Sequence, residues 1–178
     1  MNQQWGGWLV VLSLVIAAAG CAPAATQAAP TDQPAEPGAL LNVKGTLFST
    51  SGQCSACHTG LKTAGGMDVS IDTDWRSTMM ANAARDPYYR ASVRRETLAN
   101  SQYEEFIQDK CSTCHVPMAH FTTAAGGGKT AMLDDGVFAS THPDHALAMD
   151  GVSCTLCHQI QPEGLGTADS FSGGVAFR

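Results

Sequence analysis

Apolar residues are distributed unevenly along the chain, and their pattern divides it into three segments. Residues 8–19 form an apolar run that is interrupted only by Ser13. This run has the length of a signal-peptide core and is shorter than the roughly 20 residues that a membrane-spanning helix needs. Residues 22–38 contain no aromatic and no β-branched aliphatic side chain, so they cannot bury enough apolar surface to offset the entropy of ordering. The pattern predicts a signal peptide over residues 1–20, a disordered tether over 21–39 and a folded domain over 40–178.

Two helices are predicted in the folded domain, each from the residue that would cap its N-terminus. Asp74 precedes a stretch of helical composition, and we expect a helix over residues 75–84. Asp86 is followed by Pro87, which combines a capping side chain with proline at the first helical position. This pair predicts a second helix that ends near residue 100.

A third helix is predicted from a capping box. Ser101, with Glu104 three residues later, has this pattern and predicts a helix that runs into Cys111. Beyond Ala119 the pattern favours loop, because residues 124–129 include three consecutive glycines and residues 164–178 show no sustained periodicity. The predicted fold class is mainly α with much irregular loop and little or no β-structure.

Acidic residues outnumber basic ones, and this limits the possible function classes. The formal net charge is −6 at pH 7, and charged residues make up only 15% of the chain. Proteins that bind nucleic acid through its phosphates present a basic surface. We therefore expect no nucleic-acid partner, while the acidic balance by itself identifies no other partner.

Six of the seven cysteines lie in three copies of one motif, Cys-x-x-Cys-His. Two thiols at this spacing can bond the two vinyl groups of one porphyrin, and the adjacent histidine can reach its iron as the proximal ligand. This is the attachment pattern of c-type haem, so we predict three covalent haem c groups whose macrocycles form the core. The thiols are Cys54, Cys57, Cys111, Cys114, Cys154 and Cys157, and the proximal histidines are His58, His115 and His158.

Zinc and disulfides are weaker explanations of the same motifs. A structural zinc ion takes four protein ligands, usually two cysteine pairs, and three pairs do not fill such sites without help from histidine. Disulfides within the pairs would suit an oxidising compartment. They would leave the three adjacent histidines unexplained.

Three histidines outside the motifs are candidates for the sixth coordination position of an iron: His120, His142 and His145. If each bound one iron, every haem would be closed by two histidines. His120 follows the second motif too closely to bind its own iron easily, so we expect it to serve a neighbouring haem. Methionine thioethers are the competing ligands and would raise the reduction potential. They belong to Met67, Met79, Met80, Met118, Met132 and Met149.

The seventh cysteine, Cys21, follows Ala18, Ala19 and Gly20 at the end of the apolar run. This arrangement resembles the bacterial lipoprotein signal, in which the cysteine is lipidated and becomes the mature N-terminus. It departs from that pattern because Ala18 stands where leucine is usual and no Lys or Arg precedes the run. The alternative is an ordinary signal peptide that is cut near Ala19 or Ala25. We predict lipidation of Cys21, export, and a place in the periplasm or at the outer membrane, with the lipid as the membrane anchor.

Four stretches of the folded domain resemble the multihaem cytochromes c of the tetrahaem nitrification-cytochrome type and related exported cytochromes. They are Trp75-Arg-Ser-Thr-Met-Met-Ala, Ala84-Arg-Asp-Pro-Tyr-Tyr, Cys114-His-Val-Pro-Met and Asp150-Gly-Val-Ser-Cys-Thr-Leu-Cys-His-Gln-Ile. The resemblance implies electron transfer through closely packed haems in a mainly α-helical, irregular fold. Members of this group are usually longer and carry further haem motifs, which favours the interpretation of this chain as an N-terminal fragment.

The motifs and the resemblance together favour an electron-transfer protein over an enzyme. We expect it to carry electrons between redox partner proteins, either other cytochromes or a quinol-oxidising complex. The alternative is a multihaem oxidoreductase that acts on a small nitrogen or sulfur compound at one open-coordinate haem. What fills the sixth position of each iron distinguishes the two.

Overall fold

The computed structural model describes residues 40–178, so the predicted signal peptide, the tether and Cys21 lie outside the described residues. About half of the described residues are helical, and the β-structure among them is limited to three isolated bridges. The prediction of a mainly α fold with much loop and almost no β-structure is confirmed.

Eight α-helices follow one another along residues 40–178, joined by loops and two short 3₁₀ helices. The α-helices are α1 (Gly52–His58), α2 (Ile71–Arg76), α3 (Met79–Asn82), α4 (Pro87–Ala99), α5 (Glu104–His115), α6 (Pro117–Ala125), α7 (His145–Met149) and α8 (Cys154–Gln159). The 3₁₀ helices are Ser101–Tyr103 and Ala168–Ser172. None of the helices in this part of the chain combines the length and apolar character that a membrane crossing requires.

The helix predicted from Asp86 and Pro87 is confirmed as α4. The Asp86 side chain accepts a hydrogen bond from the backbone N–H of Tyr88 at 2.9 Å, and Pro87 is the first helical residue. The carboxylate satisfies a donor that has no partner within the helix, and proline loses nothing there because its position needs no N–H.

The single helix predicted over residues 75–84 is wrong, because the chain forms two short helices there. α2 begins at Ile71, before the predicted cap Asp74, and ends at Arg76. Thr78 then caps α3: its hydroxyl accepts from the N–H of Ala81 at 3.2 Å and donates to the carbonyl of Trp75 at 2.7 Å. A side chain that bonds both flanking backbone groups offers the chain an alternative to continuing the helix.

The predicted capping box at Ser101 is also wrong, although the helix after it is present. The Ser101 side chain makes no capping bond; a 3₁₀ turn precedes α5, which runs past Cys111 to His115. The loop expected later in the chain is interrupted as well, because Pro117 opens α6. Proline at the first position of a helix is pre-organised for that conformation, and this start signal was missed.

A small core of apolar side chains lies where α4 packs on α5, α5 on α6 and α6 on α7. Val93, Val116, Met118 and Leu147 are among its buried members. The same cluster also includes Phe48, just before α1, and Leu156 of α8. The sequence predicted a core made of haem macrocycles, whereas the described chain has apolar packing of its own.

Candidate functional site

The three Cys-x-x-Cys-His motifs have the same local structure. The first occupies the end of α1, the second the end of α5, and the third most of α8. Residues three and four apart on a helix share one face, so each motif presents both thiols and its histidine on one side of a turn. All six cysteines are free thiols, and in each motif the first is half-buried while the second is exposed.

The first and third motifs meet at one cavity of about 270 Å³. Cys54 and His58 line it from α1, Cys154 and His158 line it from α8, and Trp75 adds an apolar wall. The thiols of Cys54 and Cys154 are close enough to interact, and burial together with this neighbouring thiol raises the pKa of Cys54. We call this space the shared cavity, since two motifs separated by most of the domain contribute its chemistry.

Polar hydrogen bonds hold the first and third motifs together. Asp150 accepts from the N–H and the hydroxyl of Ser51, each at 2.7 Å. The Thr155 hydroxyl donates to the carbonyl of Ser49 at 2.7 Å and accepts from its N–H at 3.0 Å. These four bonds, which we call the polar clamp, join the segment before α1 to the segment around the start of α8.

A second set of contacts fixes the approach to the third motif. The indole N–H of Trp75 donates to the carbonyl of Val152 at 3.1 Å, and the N–H of Val152 donates to the carbonyl of Met80 at 3.0 Å. Gly151 adopts φ +67° and lies so close to α3 that an added Cβ would meet the Met80 carbonyl at 2.5 Å. Only glycine accommodates both the positive φ and this approach.

The second motif is supported by aromatic packing. The rings of Tyr89 and His115 stack, with centroids 3.5 Å apart and planes 6° apart. His115 Nδ1 lies 3.2 Å from the carbonyl oxygen of Ala83. A carbonyl only accepts, so Nδ1 carries the proton and Nε2 keeps a lone pair. This is the arrangement that orients a metal-binding imidazole.

The partner of His115 is itself fixed by the core. The Tyr89 hydroxyl donates to the sulfur of Met132 at 3.2 Å, and burial raises the pKa of Tyr89 far above its usual value. The ring of Tyr89 that lies against His115 is therefore buried and neutral, and its hydrogen bond to Met132 holds its orientation.

A smaller apolar cavity, of about 220 Å³, connects the second and third motifs. Cys114 of the second motif and Pro117 at the start of α6 line one side, while Leu156 of the third motif and Ile160, just after α8, line the other. Phe171, from the last 3₁₀ helix, also contributes to its lining. The third motif therefore borders both cavities.

The structure distinguishes the three spare histidines by their hydrogen bonds. His145 Nδ1 lies 3.0 Å from the carbonyl of Val137, which leaves Nε2 with a lone pair as in His115. His142 Nδ1 instead accepts from the N–H of Asp144 at 3.1 Å, so the proton of the neutral ring is on Nε2. Of these two rings, His145 is the one prepared to bind a metal through Nε2.

His120 is engaged with the helix that carries the second motif. Its Nδ1 lies 2.8 Å from the hydroxyl of Ser112, and its Nε2 lies 3.4 Å from the hydroxyl of Thr113. Burial lowers the pKa of His120, and the nearby carboxylate of Asp109 opposes that shift. The ring joins α6 to α5, and neither of its nitrogens is free of a protein contact.

The methionines fall into two groups. The sulfurs of two buried ones accept hydrogen bonds from protein side chains, Met132 from Tyr89 and Met149 from Arg90. The sulfur of the buried Met118 lies 3.5 Å from the Thr155 hydroxyl, whose proton is donated to the Ser49 carbonyl. The other three are exposed, namely Met67, Met79 and Met80.

Several residues of this arrangement were missed from the sequence. Asp150, Ser51, Thr155 and Tyr89 were not predicted to have a role. Asp150 was visible as the first residue of a stretch with a family resemblance, but nothing local indicated that its partner is Ser51.

The residues present fit haem c. Within residues 40–178, no group of three or more His, Cys, Asp or Glu side chains is arranged to hold a bare metal ion. A porphyrin supplies four nitrogen ligands to its iron, so the protein has only to provide thiols and one or two axial ligands. The paired thiols, the oriented His115 and the apolar lining of both cavities meet those needs. None of the family models, curated proteins or solved structures compared with the chain matches it.

Proposed function

We propose that this chain is an exported c-type cytochrome that carries electrons between redox partners through three covalently bound haems. The observation that supports it best is the convergence of three identical Cys-x-x-Cys-His turns, with the third motif bordering cavities that the other two also line. Groups attached at these turns would be neighbours, and short separations are what electron transfer requires. Haem c would supply reversible one-electron chemistry at its iron.

The side chains of each motif have distinct tasks in this proposal. The two thiols would hold the haem by adding across its two vinyl groups: each sulfur would bond to one vinyl carbon, the thiol hydrogen would go to the other, and the carbon–carbon double bond would become a single bond. The histidine that follows would bind the haem iron as the proximal ligand. For His115, the Ala83 carbonyl and the Tyr89 ring hold the imidazole in its orientation.

The location and the partners are part of the same proposal. An export signal, lipidation of Cys21 and a tether over residues 21–39 would place the haem domain in the periplasm or at the outer membrane. The electron donors and acceptors would be other cytochromes or a quinol-oxidising complex. The resemblance to multihaem cytochromes of the tetrahaem nitrification-cytochrome type supports this assignment.

A carbon monoxide titration tests the proposal. The full chain is matured in an exporting host, its covalent haem is quantified, and the reduced absorption spectrum is recorded before and after carbon monoxide is added. Three haems per chain and an unchanged spectrum support the electron carrier. A chain that matures without covalent haem contradicts it.

One observation favours the alternative, an oxidoreductase for a small nitrogen or sulfur compound. Of the three spare histidines, His145 alone has its Nδ1 proton held by a carbonyl, while both nitrogens of His120 contact α5. If His145 is the one histidine that binds an iron, the other two irons are either bound by methionine, as the electron carrier requires, or open, as the oxidoreductase requires. A spectrum in which a fraction of the haem shifts with carbon monoxide would identify an open iron, and turnover of nitrite, hydroxylamine or sulfur oxyanions should then be measured.

A further inference from the structure

Asp150 is a buried carboxylate between the first and third motifs. Its side chain accepts two hydrogen bonds from Ser51, and the residue is 1% exposed. Ser51 precedes α1, which carries the first motif, and Asp150 lies four residues before Cys154 of the third. The carboxylate is therefore located where the two attachment turns come together.

Among the described residues, no cation forms an ion pair with the carboxylate of Asp150. The ion pairs formed within residues 40–178 involve Asp72, Glu96, Asp109, Asp134 and Glu105, and none includes Asp150. Burying a carboxylate without an opposite charge is costly, even when it accepts hydrogen bonds. An asparagine could join the same two segments with a lower desolvation cost. Joining the segments therefore does not account for a charged residue at this position.

The position of the charge is fixed by the backbone around it. Gly151 lies against α3, and the N–H of Val152 donates to the Met80 carbonyl. The charge also reaches the sulfur of the first motif: among the smaller causes that raise the pKa of Cys54, after burial and Cys154, is Asp150. That sulfur is the atom through which a macrocycle would be attached.

We propose that Asp150 is a positioning residue that lowers the midpoint potentials of the haems at the first and third motifs, relative to the haem at the second. The proposal rests on the proposed function. A ferric haem carries one more positive charge than a ferrous one, so a fixed negative charge nearby favours the ferric state. In a water-poor interior this effect is stronger than at the surface.

The test is a redox titration of the matured full chain that carries Asp150→Asn, with the haem absorption spectrum recorded at each potential. Asparagine has nearly the same shape, accepts from the Ser51 N–H and can donate to its hydroxyl. We expect two of the three midpoint potentials to shift upward and the third to stay unchanged. The matched control is Asp135→Asn, which removes the same formal charge from an exposed side chain and should shift none of them.

A variant that lacks the haem of the second motif identifies which two haems shift. In a chain that also carries Cys111→Ser and Cys114→Ser, the remaining two components should both shift when Asp150 is changed. Unchanged potentials in an Asp150→Asn chain that retains all its haems would overturn the proposal. Equal shifts from Asp135→Asn would overturn it too, because they would show an effect of net charge alone.

A further variant applies if Asp150→Asn does not mature. Ser51→Ala keeps the charge but removes one donor from the carboxylate, so the same two potentials should shift downward. A shift in the opposite direction, or none, contradicts the proposal. A wild-type chain without covalent haem would overturn the proposed function itself, and the haem quantification shows this before any potential is measured.

Discussion

The first and third motifs are held together by polar bonds, whereas the second is supported by apolar packing. Of the described helices, α1 and α2 contain no buried residue. The hydrogen bonds of the polar clamp join the segment before α1 to the segment around the start of α8. Around the second motif, α4 to α7 bury Val93, Val116, Met118 and their neighbours. Hydrogen bonds give direction but little net stability, while apolar burial gives stability without much direction.

This difference indicates how each region would depend on its cofactor. The α4–α7 region contains apolar side chains that can be buried without any added group. Around the shared cavity, Ile71 is 54% exposed and lines the wall together with the half-buried Trp75. Exposed apolar side chains at a binding site become stabilising once a ligand covers them. We expect the shared cavity to be stable only when its haems are attached.

The largest difference in stability between the two regions is expected when one haem is lost from each in turn. Cys54→Ser with Cys57→Ser, and Cys111→Ser with Cys114→Ser, should each lower the haem content from three groups to two, as measured by intact mass. The midpoint of thermal unfolding should fall further for the first pair, because α1, which carries the first motif, contributes no buried residue to the protein core. Equal losses of thermal stability would contradict the comparison.

Removal of a distal ligand should change the spin state of one iron. His145→Ala should convert one low-spin haem to high-spin in the absorption and electron paramagnetic resonance spectra, because its Nε2 is the prepared ligand. His120→Ala and His142→Ala are the matched controls and should leave the spin states unchanged. A high-spin signal from either control, with none from His145→Ala, would reverse this assignment.

Single side-chain deletions should act independently in the two regions. Ser51→Ala removes a hydrogen bond to a charged group and should lower the free energy of unfolding by about 2 kcal/mol. Val93→Ala leaves a cavity in the other region and should cost about 2 kcal/mol as well. Denaturant unfolding of the double variant should show additivity to within about 0.5 kcal/mol. A larger interaction energy would mean that the regions are one cooperative core.

The smallest effect is expected from Tyr89→Phe, at the stacked pair of Tyr89 and His115. Tyr89→Phe keeps the ring against His115 and removes the hydroxyl that donates to Met132, so it should cost about 1 kcal/mol or less. Tyr89→Leu also loses the stacking and should cost about 1 kcal/mol more. The comparison is made by denaturant unfolding, with haem spectra recorded in parallel. If Tyr89→Phe altered the spectrum as strongly as Tyr89→Leu, the hydroxyl rather than the stacked ring would orient His115.

Local signals in the sequence predicted the features that depend on a few adjacent residues. The paired cysteines with their histidines indicate one helical turn, and Asp86 with Pro87 gave the start of α4. The break between α2 and α3 was missed because Thr78 can serve either inside a helix or as its cap. The pattern of apolar residues does not distinguish these roles.

The arrangement of the site could not be predicted in the same way. Which motifs face each other depends on partners such as Ser51 and Asp150, and no periodicity relates them. The roles of His120, His142 and His145 depend on which ring nitrogen meets a donor and which meets an acceptor. That information is present only once the loops are folded.

The polar clamp also has a consequence for the order in which the protein folds. Ser49 and Thr155 are 106 positions apart in the chain, whereas α4, α5 and α6 are consecutive. Contacts between distant segments form slowly because the intervening chain must first be restricted. During synthesis from the N-terminus, α1 exists long before its partner α8 is made. We expect the amides of α4 and α5 to gain protection from hydrogen exchange early, and those of Ser49 and Ser51 to gain it last.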